Sequence, residues 1–199
     1  MIIDHDRKYV FISVPKTGSI SIQFSLGHGH DIPEPHLYHQ SIAEALSANP
    51  ECSGYFKFAF VRNPWARMLS LYKDFTLKRV HQYSGKVRHD LPLFSEFKDF
   101  HHFCAAVKDS AWWDDIFLRS QFRSLSVDGR MAMDRVGRFE TLQSSFDEIC
   151  STIGVAPQLL KMNVGEYDNS DYRQHYDDGS RKAIADIFVD DVTEFGYEF

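Results

Sequence analysis

The sequence lacks the features that mark secreted, membrane and nucleic-acid-binding chains. It has three cysteines, widely spaced and odd in number, and neither a disulfide framework nor a Cys/His zinc cluster is apparent. No apolar run approaches the ~20 residues of a membrane helix, and the charged N-terminus is unlike a signal peptide. The formal net charge of -6 argues against a nucleic acid as partner. We therefore expect a cytoplasmic protein without a membrane span.

Size and composition are those of an ordinary globular chain. With 199 residues, 43% of them hydrophobic, the chain can bury roughly 70% of its unfolded surface. No internal repeat or composition break divides it, so we expect a single domain over residues 1–199. No heptad pattern indicates an oligomeric state.

Short apolar runs alternate with helical patterns. Buried strands are predicted at 8–14 and 55–61, where β-branched and aromatic residues concentrate, and a further short strand is predicted at 135–139. Helices are predicted after Ser41, after Pro64, and over 20–26, 94–107, 114–122, 142–153 and 180–195. This order predicts an α/β domain whose central sheet is mainly parallel.

Residues 14–21 join the first strand to a helix in a manner suited to an anion. Such a turn presents backbone N–H groups at the positive end of a helix dipole. Gly18 allows close approach of the backbone, and Lys16 adds a positive charge. Three hydroxyl groups can also donate hydrogen bonds: those of Thr17, Ser19 and Ser21. An ordinary Ser/Thr-rich turn is the alternative interpretation.

This segment differs from the nucleoside triphosphate P-loop, GxxxxGK[ST]. It lacks the first glycine, and Lys16 precedes Gly18 instead of following a glycine. The second strand ends in Arg62, where a nucleotide triphosphatase would place a magnesium-binding aspartate. We therefore expect an anionic ligand that needs no metal.

The second strand repeats the arrangement at residues 58–70. Arg62 stands at its carboxyl end, the edge where open α/β sheets bind ligands, and offers a bidentate fork to a phosphate. Ser70, two turns into the next helix, can donate to the same anion. Arg67 either shares that helical face or pairs with an acidic neighbour. Alone, the Arg-Asn-Pro sequence is equally explained as a capped turn, but two such junctions in one short chain favour anion binding.

Both segments resemble motifs of the sulfotransferases that use 3′-phosphoadenosine 5′-phosphosulfate (PAPS). Residues 15–21 resemble the 5′-phosphosulfate loop of that family, and residues 60–70 resemble its 3′-phosphate element. Residues 136–142, 175–178 and 190–197 are similar to further family segments, in family order. The chain is therefore identified as a member of this family, in its carbohydrate branch.

The resemblance implies a P-loop-like, three-layer α/β fold and assigns roles to individual residues. Those that wrap the 5′-phosphosulfate are Lys16, Thr17, Gly18, Ser19 and Ile20, with Ser21 beside them, while Arg62 and Ser70 hold the 3′-phosphate. No metal is expected. Many cytosolic members carry an Arg-Lys-Gly element near the C-terminus, which is absent here. Lys161, Arg173 and Arg181 remain alternative replacements.

The transfer needs a cation at the leaving oxygen and a base for the acceptor hydroxyl. We assign the first role to Lys16. For the base we favour His36, whose ordinary pKa suits proton transfer at neutral pH and which resembles the proposed base of uronyl 2-O-sulfotransferases. His39, a carboxylate, or no essential base remain open.

The acceptor is expected to be a glycan or another small hydroxylated molecule. Residues 73–89 are locally basic, and residues 81–92 lack the periodicity of a helix or strand. The basic residues either bind an anionic sugar or belong to a solvated helix face and a polar loop. Trp112 and Trp113 either stack on a sugar or belong to the core. Two other functions remain: a Mg-dependent nucleotide kinase, and a catalytically silent module that binds nucleotides or sulfated ligands.

Overall fold

The computed structural model describes residues 1–28, 39–74, 97–109, 117–162 and 171–199. Contacts divide the chain into two compact units, Met1–Arg62 with Arg119–Glu166 and Asn63–Leu118 with Tyr167–Phe199. One boundary thus falls directly after Arg62, inside the second predicted anion segment. The single domain over 1–199 stays a prediction.

Strands and helices alternate through most of the described chain. In order they are β1 (Ile2–Asp4), β2 (Tyr9–Ile12), α1 (Ser19–Ser25), α2 (Ile42–Ala48), β3 (Phe56–Val61), α3 (Pro64–Lys73), α4 (Phe100–Asp109), α5 (Gln121–Leu125), β4 (Ser126–Val127), β5 (Arg130–Met131), β6 (Arg135–Arg138), α6 (Leu142–Ile153), α7 (Asp178–Ile187) and α8 (Val189–Phe195). Short 3-10 helices lie at Pro50–Gly54, Phe139–Thr141 and Tyr172–His175.

A four-stranded sheet with the order β1-β2-β3-β6 forms the centre of the first unit. β2 pairs in parallel with β3, and β3 in parallel with β6, while β1 is an antiparallel edge strand. The predicted α/β class with a mainly parallel sheet is confirmed. The sequence interpretation missed β1 and the β4–β5 hairpin because strands of two or three residues are too short to show a period.

The core of the first unit lies against one face of this sheet. Tyr9 and Phe11 of β2 and Phe58 and Phe60 of β3 share that face, because side chains alternate along a strand, and all four are fully buried. Helices α1 and α6 cover it with further buried side chains: Ile22, Leu26, Phe146, Ile149, Cys150 and Ile153. This packing fixes the carboxyl ends of β2 and β3, where both predicted anion segments begin.

The second unit is helical in its described residues. Helix α4 packs against α7, where Lys108 and Asp186 form an ion pair at 3.6 Å. His101 Nδ1 lies 3.2 Å from the Ser180 hydroxyl, which belongs to the capping box that starts α7. That hydroxyl donates to Asp177, so these three residues cap a helix and do not form a nucleophile–base pair.

Two helices begin at later residues than predicted, each directly after a side-chain cap. The helix predicted over 94–107 begins at Phe100 in the described residues, because the Asp99 carboxylate accepts a hydrogen bond from His102 N–H at 2.8 Å. In the described part of the helix predicted over 114–122, helical structure begins at Gln121, because Ser120 Oγ accepts from Arg123 N–H at 3.3 Å. Residues 117–119 form a turn.

The single helix predicted over 180–195 is two helices. Phe188 separates α7 from α8 with φ −106° and ψ 36°, outside the helical region. Its side chain is fully buried and lies beneath the Arg67 guanidinium. The break places this ring in the core of the second unit.

All three cysteines are free and buried. Burial raises the pKa of Cys150 to about 11 and that of Cys104 well above its ordinary range, so both remain thiols at neutral pH. In the described parts of the chain, no helix is long and apolar enough to cross a membrane.

Candidate active site

The loop between β2 and α1 contains two residues in the left-handed region. Lys16 has φ 68° and Gly18 has φ 81°, on either side of the buried Thr17. The left-handed conformation is unfavourable for a lysine, so surrounding contacts must hold it. Successive turns of this kind direct backbone N–H groups toward one point, which is how backbone nests bind anions.

Two hydroxyl groups hold the loop in this shape. Thr17 Oγ1 and Ser19 Oγ both donate to the Val14 carbonyl, at 2.9 and 2.6 Å. Each hydroxyl has one hydrogen, so in this conformation neither donates to a ligand. Backbone N–H groups and Lys16 are therefore the donors this loop offers to an anion.

Gly18 is required for a second reason. A Cβ added there would lie 3.2 Å from Leu142 Cδ2 and 3.4 Å from the Phe139 ring. The segment that follows β6 therefore packs directly against the loop. Ile20 and Ser21 follow in α1, with Ile20 half-buried and the Ser21 hydroxyl bonded to the backbone of Met162.

Arg62 reaches the same loop from the end of β3. Its guanidinium is 4.1 Å from the centre of the Phe139 ring, and Nη1 donates to the Lys16 carbonyl at 3.3 Å. Gln121 fixes its backbone by accepting from Arg62 N–H at 2.9 Å and donating to the Arg62 carbonyl at 2.8 Å. The two sequence-predicted cations are thereby brought together within the first unit.

Gln121 and Phe139 are the residues that sequence interpretation missed. Phe139 touches both the Gly18 position and the Arg62 guanidinium, so it supports both halves of the site. The sequence pointed to Phe139, because this residue lies in segment 136–142, which resembles a family segment. Its position there did not indicate a role. Gln121 lies in no sequence motif, so its contact with Arg62 is visible only in the folded structure.

Helix α3 begins immediately beyond Arg62, in the second unit. Asn63 caps it by accepting from the N–H groups of Trp65 and Ala66 at 3.1 and 3.2 Å, and Pro64 occupies the first turn. Ser70 lies on this helix and is half-buried. Its proximity to the Arg62 guanidinium stays a prediction.

Arg67 is part of the core of the second unit. It is fully buried, with its guanidinium 4.9 Å from the Phe188 ring and Nη1 donating to the Phe117 carbonyl at 3.2 Å. Burial lowers its pKa to about 10, and the charge of the buried Asp191 opposes that shift. Of its two predicted roles, the geometry supports pairing with an acidic neighbour.

The two histidine candidates differ in what the structure describes. His36 lies outside the described residues, as do 75–96 with most of the basic stretch, and Trp112 with Trp113. His39 Nδ1 is 2.7 Å from the Ser13 carbonyl, at the end of the strand that leads into the loop. Because a carbonyl only accepts, Nδ1 carries the hydrogen, and the neutral ring has its lone pair on Nε2.

The fold also brings together three groups able to bind a metal. Ligand atoms of His5, Glu51 and Cys52 lie within 4.8 Å of one another, although sequence spacing gave no sign of such a cluster. His5 Nδ1 is 3.1 Å from the Tyr55 hydroxyl, and the Cys52 thiol is 3.9 Å from Glu51 Oε1. These internal contacts account for the cluster without an ion.

Comparison with known proteins agrees with this geometry. The family model described as sulfotransferase family matches residues 1–198. The chain belongs to the sulfotransferase family. Searches of curated proteins and of solved structures found no significant match. As a sulfotransferase it is an enzyme of sulfuryl transfer, for which the family implies PAPS as sulfate donor.

Proposed function

We propose that this sulfotransferase moves the sulfuryl group of PAPS to a hydroxyl of a carbohydrate, as the uronyl 2-O-sulfotransferases do. The observation that carries the proposal is the hydrogen bond from Arg62 Nη1 to the Lys16 carbonyl. This bond brings together the two strand ends that carry a cation. PAPS has phosphate groups on both the 3′ and the 5′ oxygen of its ribose, so two neighbouring cationic positions suit it.

This geometry and the family resemblance support the residues that we assign to the donor. The loop residues assigned to the 5′-phosphosulfate are Lys16, Thr17, Gly18, Ser19, Ile20 and Ser21. Thr17 and Ser19 act by shaping the loop, because their hydroxyls donate to Val14. Arg62 holds the 3′-phosphate, and Ser70 is assigned to the same phosphate from the resemblance.

Sulfuryl transfer breaks the bond between sulfur and the 5′-phosphate oxygen and forms a bond from sulfur to the acceptor oxygen. The products are 3′-phosphoadenosine 5′-phosphate and a sulfate ester, and the acceptor proton passes to a base. Lys16 stabilises the negative charge that develops on the leaving phosphate oxygen. Nothing in these steps requires a metal.

His36 and His39 are the two proposed bases. His36 keeps its assignment from the sequence, and the Ser13 contact supports His39, because a histidine with Nδ1–H fixed presents Nε2 as the proton acceptor.

Replacing the true base by alanine should lower kcat by about two orders of magnitude and leave donor affinity unchanged. His36→Ala and His39→Ala, assayed in parallel, distinguish them. Near-normal turnover in both variants would remove histidine from the base role.

The transfer itself is tested by following release of 3′-phosphoadenosine 5′-phosphate from PAPS with a chelator present. A panel of uronic-acid polysaccharides, neutral glycans and small alcohols serves as acceptors. We expect turnover with a glycan. Donor binding without transfer to any acceptor would favour a silent binding module, and turnover of ATP that requires Mg²⁺ would favour a kinase.

A further inference from the structure

The segment that follows α6 is fastened to α1 by two serine side chains. Met162 N–H donates to Ser21 Oγ at 3.1 Å, and Ser21 Oγ donates to the Met162 carbonyl at 3.0 Å. Leu160 N–H donates to Ser25 Oγ at 2.7 Å. Ser21 and Ser25 are four residues apart, on the same face of the helix. Residues 160 and 162 are therefore fixed along the helix that continues the anion loop.

Apolar contacts fix the same segment from the other side. Val155 and Leu159 pack against the core cluster between the sheet, α1 and α6. Gly154 ends α6 in the left-handed conformation and turns the chain toward α1. The backbone is held at both ends of the stretch 155–162, so the position of Lys161 is set by the fold.

Lys161 lies between the two fixed backbone positions and is exposed. Within the described ranges it makes no hydrogen bond or ion pair. Its neighbour Met162 is bonded to Ser21, which is the third residue of α1 and the last residue of the anion segment 14–21. A lysine has a flexible four-carbon stem, so its ammonium can turn toward an anion bound by that loop.

The other two candidate cations lie in the second unit, each beside an aromatic ring. The guanidinium of Arg173 lies 4.7 Å from the Tyr172 ring, and that of Arg181 lies 5.3 Å from the Phe199 ring. Lys161 is the candidate that belongs to the same unit as Lys16 and Arg62. The donor has a 3′-phosphate, a 5′-phosphate and a sulfate, which favours a third cation beside these two.

We propose that Lys161 is a donor-binding residue that contacts the 5′-phosphosulfate, and that residues 160–162 form a strap held on α1 by Ser21 and Ser25. This inference rests on the proposed function. It also changes the role of Ser21, whose hydroxyl positions the strap instead of donating to the donor.

Calorimetric titration with 3′-phosphoadenosine 5′-phosphate tests the proposal, with adenosine 3′-phosphate measured by competition as a probe that lacks the 5′ group. Lys161→Ala should bind the bisphosphate about tenfold more weakly and bind adenosine 3′-phosphate unchanged. Lys161→Arg should retain affinity within about threefold, since it keeps the charge. Ser21→Ala should weaken bisphosphate binding, because the strap loses its fixed position.

Lys182→Ala is the matched control, because Lys182 is an exposed lysine that pairs with Asp186 at 2.9 Å. It should bind the bisphosphate as the unaltered protein does. Unaltered affinity in Lys161→Ala, or an equal loss for both nucleotides, would overturn the inference and leave the proposed function standing. Absence of bisphosphate binding by the unaltered protein would overturn both.

Discussion

Arg62 and Arg67 are five residues apart, and each guanidinium is stacked on a phenylalanine, yet they occupy different places in the fold. Arg67 is fully buried and interacts with the carboxylate of Asp191, which is also fully buried. Arg62 stands at the end of a parallel strand, where its guanidinium contacts the Phe139 ring and the Lys16 carbonyl.

The difference separates a structural cation, Arg67, from the proposed ligand-binding cation, Arg62. A buried charge beside a buried counter-charge belongs to a structural ion pair. Because its partner neutralises it, it attracts an anionic ligand only weakly. We propose that Arg62 binds an anion instead, because it stands at the carboxyl end of a parallel strand, the edge where open α/β sheets bind ligands. Sequence spacing alone left open whether Arg67 shares the anion-facing surface of its helix, and burial resolves the question.

The largest expected effect is on stability, at Arg67. Arg67→Met should lower the free energy of unfolding by about 3–5 kcal/mol, because it leaves Asp191 buried without its counter-charge. Urea unfolding followed by circular dichroism measures this. The double variant Arg67→Met, Asp191→Leu should recover part of the loss, since no lone charge remains. A loss below about 1 kcal/mol in the single variant would contradict a structural role.

Two left-handed glycines give a matched pair for the anion loop. Gly18→Ala should cost about 1–2 kcal/mol and weaken donor binding about tenfold, because the added Cβ meets Leu142 at 3.2 Å and displaces the loop. Gly196→Ala, at the end of α8, has a left-handed φ of 60° but open space around it. It should cost about 1 kcal/mol with donor affinity unchanged. Unfolding and calorimetry on both variants check this, and equal donor affinities would refute the loop assignment.

The smallest effects come from the two phenylalanines under the arginines. Phe139→Leu should weaken donor binding about threefold, because a cation–π contact contributes about 0.5–1 kcal/mol. Phe188→Leu should lower stability by about 1 kcal/mol and leave donor affinity unchanged. Calorimetric titration measures the donor affinity of both variants, and urea unfolding measures their stability. Equal changes in donor affinity would mean that the two rings have the same role.

Local chemistry made much of the fold predictable. The capping box of Ser41 and Glu44 marks the start of α2, and Pro64 marks the first turn of α3, as predicted. Helix α6 has the predicted bounds of 142–153, because its apolar period, ending at Gly154, is complete within one segment. Strands β2 and β3 were visible because both faces are buried, which gives continuous apolar runs.

The missed features depend on contacts between distant residues. Phe139 acquires its role only when β3 and β6 pair, and Gln121 only when α5 lies against the end of β3. The break at Phe188 follows from burial against Arg67, which no local pattern encodes. The strap on α1 joins residues 141 positions apart in the chain.

The most direct test of the account is a metal-free titration with 3′-phosphoadenosine 5′-phosphate and, separately, with ATP. The unaltered protein should bind the bisphosphate tightly and ATP weakly. Arg62→Ala should bind the bisphosphate about a hundredfold more weakly, because it loses a bidentate charged contact to phosphate. Failure of the unaltered protein to bind the bisphosphate, or ATP binding that requires Mg²⁺, would contradict the account.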